Sequence, residues 1–121
     1  MDTQVLIVDD DDRLREVLSL YIGLEEGLEV AGSAASASEA ADMAATMNID
    51  AIVLDYHMPD IDGIEAIPLL RNAAPDVRIV MFSADDDRRA SDEAIERGAA
   101  AYVPKNGQQG LDDIVRLLKA S

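Results

Sequence analysis

The sequence has no cysteine. That excludes a disulfide framework, a thiolate metal site and a cysteine nucleophile. No apolar run reaches the roughly 18 residues that a membrane-spanning helix needs. The opening residues Met1-Asp2-Thr3-Gln4 lack the basic start and apolar stretch of an export signal, so a cytoplasmic location is expected. Positive charge is scarce: 10 Lys and Arg stand against 25 Asp and Glu, a formal net charge of −15. A surface this acidic repels phosphate backbones and anionic lipid, so neither nucleic acid nor a membrane is expected as a direct partner of this domain. Cations and basic protein surfaces are favoured. There is no Gly-rich phosphate loop, no dinucleotide fingerprint and no Ser-His-Asp set. What remains is 121 residues, 49% hydrophobic and 29% charged, enough for one domain over 1–121 with a real core.

Apolar runs alternate with helical patterns along the chain. Val5-Leu6-Ile7-Val8 and Ala51-Ile52-Val53-Leu54 are wholly apolar, as strands buried on both faces must be. Leu28–Ala31, Val77–Phe82 and Ala100–Val103 complete five expected strands. Between them, Leu14, Val17, Leu18, Tyr21 and Ile22 recur at helical spacing, with Gly23 or Gly27 as the stop. Ser36 and Glu39 have the spacing of a capping box, opening a helix to about Met47. A third helix carries Ile64, Ile67 and Leu70, and Pro68 within it predicts a kink or a late start. A charged fourth helix over about 86–97 has a thin apolar stripe and ends at Gly98. A fifth carries Leu111, Ile114, Val115 and Leu118. The alternation predicts an α/β fold, a doubly wound five-stranded parallel sheet with helices on both faces.

In such sheets the chemistry sits just beyond the carboxyl ends of the strands. Those positions hold Asp9 to Asp12, Asp55, Ser83 and, past Tyr102, Lys105. Two carboxylates about 5 Å apart repel by about 3 kcal/mol at an effective dielectric of 20. Three in one cleft call for a cation. With oxygen donors, no Cys and a single His, a hard divalent ion fits, most simply Mg²⁺. A carboxylate between a metal and an ammonium is placed to attack phosphorus. Asp11 and Asp12 read as helix-start residues. The stretch 9–20 fails as a calcium loop, because Leu14 stands where the sharp turn needs Gly. Asp60-Ile61-Asp62-Gly63 reads as a turn.

Taken in order, Leu6-Ile7-Val8-Asp9-Asp10, Leu54-Asp55-Tyr56-His57-Met58-Pro59, Ile61-Asp62-Gly63, Met81-Phe82-Ser83-Ala84 and Gly98-Ala99 leading to Tyr102 and Lys105 resemble a response-regulator receiver domain of two-component signalling, CheY-like, over essentially the whole chain. The resemblance implies the flavodoxin-like strand order 2-1-3-4-5. It implies Asp55 as phospho-acceptor and Asp9 and Asp10 as the acid pair that, with Asp55 and the backbone carbonyl of His57, holds Mg²⁺. Ser83 matches the hydroxyl that bonds the phosphoryl group, Lys105 the lysine that pairs with it, and Tyr102 the aromatic switch. The run of four aspartates leaves the register of the pair open by one; Asp9 and Asp10 are assigned because they directly follow Val8. Receivers commonly have Pro after the lysine, whereas here Pro104 precedes it and Asn106 follows.

The function implied is a phospho-accepting switch, not primarily an enzyme. A sensor histidine kinase or phosphotransfer protein would supply the phosphoryl group. The surface of the fourth helix, fifth strand and fifth helix would then change to control an output domain or target, with homodimerisation through that face in view. Two alternatives stand beside it: a receiver-like interaction module that works without phosphate, and a Mg²⁺-dependent phosphatase with an Asp nucleophile. The commonest pattern of the latter wants Asp two residues after the nucleophile, where His57 stands. The imidazole of His57 is expected at the cleft mouth, where it and Asp85 could steer water. Leu24–Gly32 resembles receivers attached to helix-turn-helix regulators, so a stand-alone domain and a piece of a longer regulator both remain open.

Overall fold

The computed structural model describes residues 2–85 and 87–119. Five parallel strands form one sheet, β1 (Thr3–Val8), β2 (Leu28–Ala34), β3 (Ala51–Leu54), β4 (Arg78–Ser83) and β5 (Ala101–Pro104), in the order β2-β1-β3-β4-β5. They alternate with α1 (Asp12–Gly23), α2 (Ala37–Thr46), α3 (Gly63–Ala73), α4 (Arg88–Arg97) and α5 (Gly107–Lys119). Position 86, where the fourth helix was expected to begin, lies outside the described residues.

Alternation of side chains along each strand divides the core in two. Leu6, Val8, Ile52, Leu54, Ile79 and Met81 face α2, α3 and α4. Val5, Ile7, Val53, Val80 and Phe82 face α1 and α5, where Leu18, Ile22, Ile114 and Leu118 meet them. Strands covered on both sides have no polar face to display, which explains the unbroken apolar runs.

Aspartates open three of the helices. Asp11 accepts from the amides of Arg13 and Leu14, Asp62 from Glu65 and Asp87 from Arg89. Ser36 opens α2, accepting from Glu39 N–H, while the Glu39 carboxylate reaches back to Ala35 N–H. Gly98 closes α4 at φ 118°, a left-handed conformation that costs glycine nothing.

β1 starts two residues before the expected Val5, β4 and β5 each sit one residue later than expected, and two departures go further. β2 runs three residues past Ala31. Its register with β1 slips between Val5 and Leu6, leaving Ala31 as the extra residue of a bulge that carries the strand through Gly32 and Ser33. The third helix does not start late: capped by Asp62, it begins at Gly63 and runs through Pro68. Pro68 is exposed, so its ring meets solvent and not the core.

Candidate functional site

Strand register gathers the predicted residues at one edge. Val8 pairs with Leu54 and Leu54 with Met81, so Asp9 and Asp55 leave the sheet side by side with Phe82 next to them. Ser83 pairs with Pro104, which puts Lys105 one step beyond. Backbone bonds extend the ladder past the strands: Asp9 N–H donates to Ala34 O, Asp55 N–H to Val8 O and Lys105 N–H to Ser83 O, at 3.1, 2.9 and 2.6 Å.

The Lys105 ammonium joins the acids. Its Nζ donates to Asp55 Oδ1 at 3.0 Å and to Asp9 Oδ2 at 3.1 Å. Both carboxylates are buried, and the lysine is about one-fifth exposed. The other Asp9 oxygen accepts from Asp11 N–H at 2.9 Å. Asp10 is exposed, yet one carboxylate oxygen each from Asp9, Asp10 and Asp55 lie within 4.8 Å of one another. Burial pushes the Asp55 carboxyl above the ordinary carboxylate range, and the charges of Asp9 and Asp10 add to it, against the pull of Lys105. Burial also works against the Lys105 ammonium, but the bond and charge of Asp55, with those of Asp9, leave it raised.

Three carboxylates against one ammonium leave a formal charge of −2, from −3 and +1. All the donors are hard oxygens. That set suits Mg²⁺ and has no ligand that favours a soft metal.

Ser83 is fully buried, and its Oγ accepts from Asp85 N–H at 3.1 Å. Tyr102 OH donates to Asp85 O at 2.8 Å. The His57 imidazole is exposed, as expected, and Nε2 lies 2.7 Å from Asp85 Oδ2, bridging the cleft mouth. All peptide bonds among the described residues are trans, those beside Pro104 included. No helix among them is long and apolar enough to cross a membrane.

Three contacts were not anticipated. Arg15 Nη1 donates to Asp9 O at 2.7 Å while Nη2 pairs with Asp12, so one guanidinium braces the acidic run. Its place one helical turn after Asp11 and Asp12 was the available signal. The Asp60 carboxylate reaches the start of α2. Asp85 and His57 were each placed at the mouth, but their pairing was not foreseen.

A doubly wound parallel sheet with two buried aspartates, a lysine bonded to both and a buried serine at its carboxyl edge defines a class of α/β signalling domain. The chain belongs to the response regulator receiver domain family, whose model matches residues 5–117. It is 40% identical over 104 residues to a protein-glutamate methylesterase/protein-glutamine glutaminase of Bradyrhizobium diazoefficiens, a match covering 84% of this chain and 26% of that protein. Among solved structures, it resembles the response regulator domain of Thermotoga maritima CheB, with a TM-score of 0.90, 27% identity and coverage of 98% of this chain and 95% of that one. It also resembles a Burkholderia pseudomallei response regulator with a phosphorylated aspartic acid, calcium ion and citrate, at a TM-score of 0.84 and 26% identity, covering 98% and 68%. The chain spans between 26% and 50% of the length of the first two curated relatives it matches.

Proposed function

We propose that this receiver domain is switched by a phosphoryl group taken onto Asp55 from the phospho-imidazole of a histidine kinase or phosphotransfer protein. The observation that carries the reading is Lys105 Nζ bonded at once to buried Asp55 and Asp9, with the oxygens of Asp9, Asp10 and Asp55 within 4.8 Å. An Asp55 oxygen forms a bond to phosphorus as the phosphorus–nitrogen bond breaks, and the electron pair leaves on the imidazole nitrogen. Lys105 turns from the carboxylates to a phosphoryl oxygen. Asp9, Asp10, Asp55 and the His57 carbonyl would hold Mg²⁺, which when bound neutralises charge on the carboxylates and the phosphoryl oxygens.

Ser83 Oγ accepts from Asp85 N–H, which leaves its own proton to give to the phosphoryl group. Tyr102 is tethered to the same Asp85. A shift of Ser83 therefore reaches the aromatic ring through one residue and alters the α4–β5–α5 face. The face responds by as much as its two arrangements differ in affinity for the phosphoryl group. That face would carry the contact with an output domain, a target protein or a second copy. The domain promotes its own phosphorylation and its own dephosphorylation, in which water takes the phosphoryl group off Asp55 as inorganic phosphate; it is not primarily an enzyme, and it works in the cytoplasm. The phosphorylated aspartic acid of the Burkholderia structure supports the acceptor assignment.

Intact-chain mass spectrometry after incubation with acetyl phosphate and Mg²⁺ tests the reading. The wild type takes one acid-labile phosphoryl group and Asp55→Asn takes none. Full labelling of the variant refutes the acceptor. Continuous turnover of a small phosphate ester points to the phosphatase alternative, and a chain that never labels to the phosphate-free one.

A further inference from the structure

The first turn of α2 has its amides shared between two sources. Ala40 N–H donates to Ser36 O and Glu39 N–H to Ser36 Oγ, both from the local cap. The amides of Ala37 and Ser38 go to a carboxylate 22 residues and more away: Asp60 Oδ1 accepts from Ala37 at 3.2 Å and Oδ2 from Ser38 at 3.0 Å. A carboxylate suits this place, since the positive end of the helix dipole and two free donors meet it. Those same bonds, Ser38 foremost, hold the exposed Asp60 carboxyl below its ordinary range.

Asp60 belongs to the segment between β3 and α3 that begins with Asp55 and His57. At the back of this loop, Gly63 N–H donates to Tyr56 O at 2.6 Å and Asp62 caps α3. Two polar ties bind its outer arc to other elements: His57 to Asp85 on one side and Asp60 to α2 on the other. Between them lie only Met58 and Pro59, and the proline ring fixes one of the few rotations left.

We propose that Asp60 is a positioning residue for the divalent-ion site: by pinning the acceptor loop to the N-terminus of α2, it holds the backbone carbonyl of His57 in place for the ion. The inference rests on the reading of His57 O as a ligand. Asp60 does not touch the ion; it removes the freedom the loop would otherwise lose on binding. Groups that orient ligands in this way are worth about tenfold or more in metal affinity.

Calorimetric Mg²⁺ titration of the full chain tests it, with three variants. Asp60→Ala binds about tenfold more weakly than wild type. Asp60→Asn loses the charge but keeps an acceptor oxygen for one of the two amides, and weakens binding less than Asp60→Ala does. Ser36→Ala removes the neighbouring cap, loosens α2 and lowers thermal stability, yet leaves the Mg²⁺ affinity unchanged. Wild-type affinity in Asp60→Ala overturns the inference. So does equal weakening by Ser36→Ala, which would make the effect a general loosening of α2, or by Asp60→Asn, which would make it charge alone. A wild-type chain that takes up no Mg²⁺ overturns the metal reading itself, and this inference with it.

Discussion

Replacing Lys105 by Met keeps a long apolar stem and removes the cation from the cleft. The ammonium sits 3.0 and 3.1 Å from two carboxylate oxygens, contacts worth about 5.5 kcal/mol each at an effective dielectric of 20. Each carboxylate pair within 4.8 Å repels by at least about 3.5 kcal/mol on the same scale. In the absence of metal the three acids would then face one another without compensation. These are gross values. Removing one partner of a buried ion pair costs about 3 to 5 kcal/mol net, and the partial exposure of Lys105 favours the low end. At a slope of about 1.5 kcal/mol per molar, the urea midpoint in EDTA falls by about 2 M. Saturating Mg²⁺ restores at least half of the loss, because the ion supplies the missing charge. Urea titrations of wild type and Lys105→Met, each with EDTA and with Mg²⁺, read both effects. Equal midpoints in EDTA, or the same loss with and without Mg²⁺, would refute the electrostatic account of the site.

Two further perturbations test neighbouring links. Burial raises the Asp55 carboxyl, so the folded chain holds that proton more tightly than the unfolded one. Its ionisation therefore costs stability fully above the folded value, and the cost fades as pH falls toward the ordinary 3.8. Asp55→Asn in EDTA is expected to be more stable than wild type at neutral pH, with a higher Tm. The gap closes on acidification, and a variant less stable than wild type across that range contradicts the burial argument. A Cβ at Gly63 would lie 2.2 Å from Asp55 O and 2.9 Å from Tyr56 Cα, backbone atoms that cannot step aside. Gly63→Ala is expected to cost about 3 kcal/mol in denaturant titration and to abolish acetyl-phosphate labelling; a fully labelled, wild-type-stable variant would show that the loop yields freely.

What could be read from the residues follows from what burial writes into a chain. β1 and β3 are covered on both faces, and their continuous apolar runs give them away with correct limits at Val8 and Leu54. Once those ends are known, Asp9 and Asp55 follow as residues of one edge. The end of β2 was hidden, because a bulge at Ala31 followed by Gly32 and Ser33 has the composition of a turn. The start of α3 was obscured by Pro68, which penalises a helix through its missing amide but says nothing of which side it faces. Asp60 and Arg15 were missed for another reason. Their bonds run to backbone groups of elements or turns whose placement exists only after folding; helical spacing announces the pairing of Arg15 with Asp12, but nothing along the chain announces the reach of Asp60 to α2 or of Arg15 to Asp9 O.

Asp85 makes three bonds, and they differ in kind. Its N–H serves Ser83 and its carbonyl serves Tyr102, while only its carboxylate serves His57. The first two belong to the peptide group and survive replacement of the side chain by anything but proline. The rim of the cleft can thus be rewritten by mutation at this position, changing how solvent enters, without cutting the connection between hydroxyl and ring beneath it. On the switch reading proposed above, phosphoryl lifetime and signal transmission would then be separately adjustable traits.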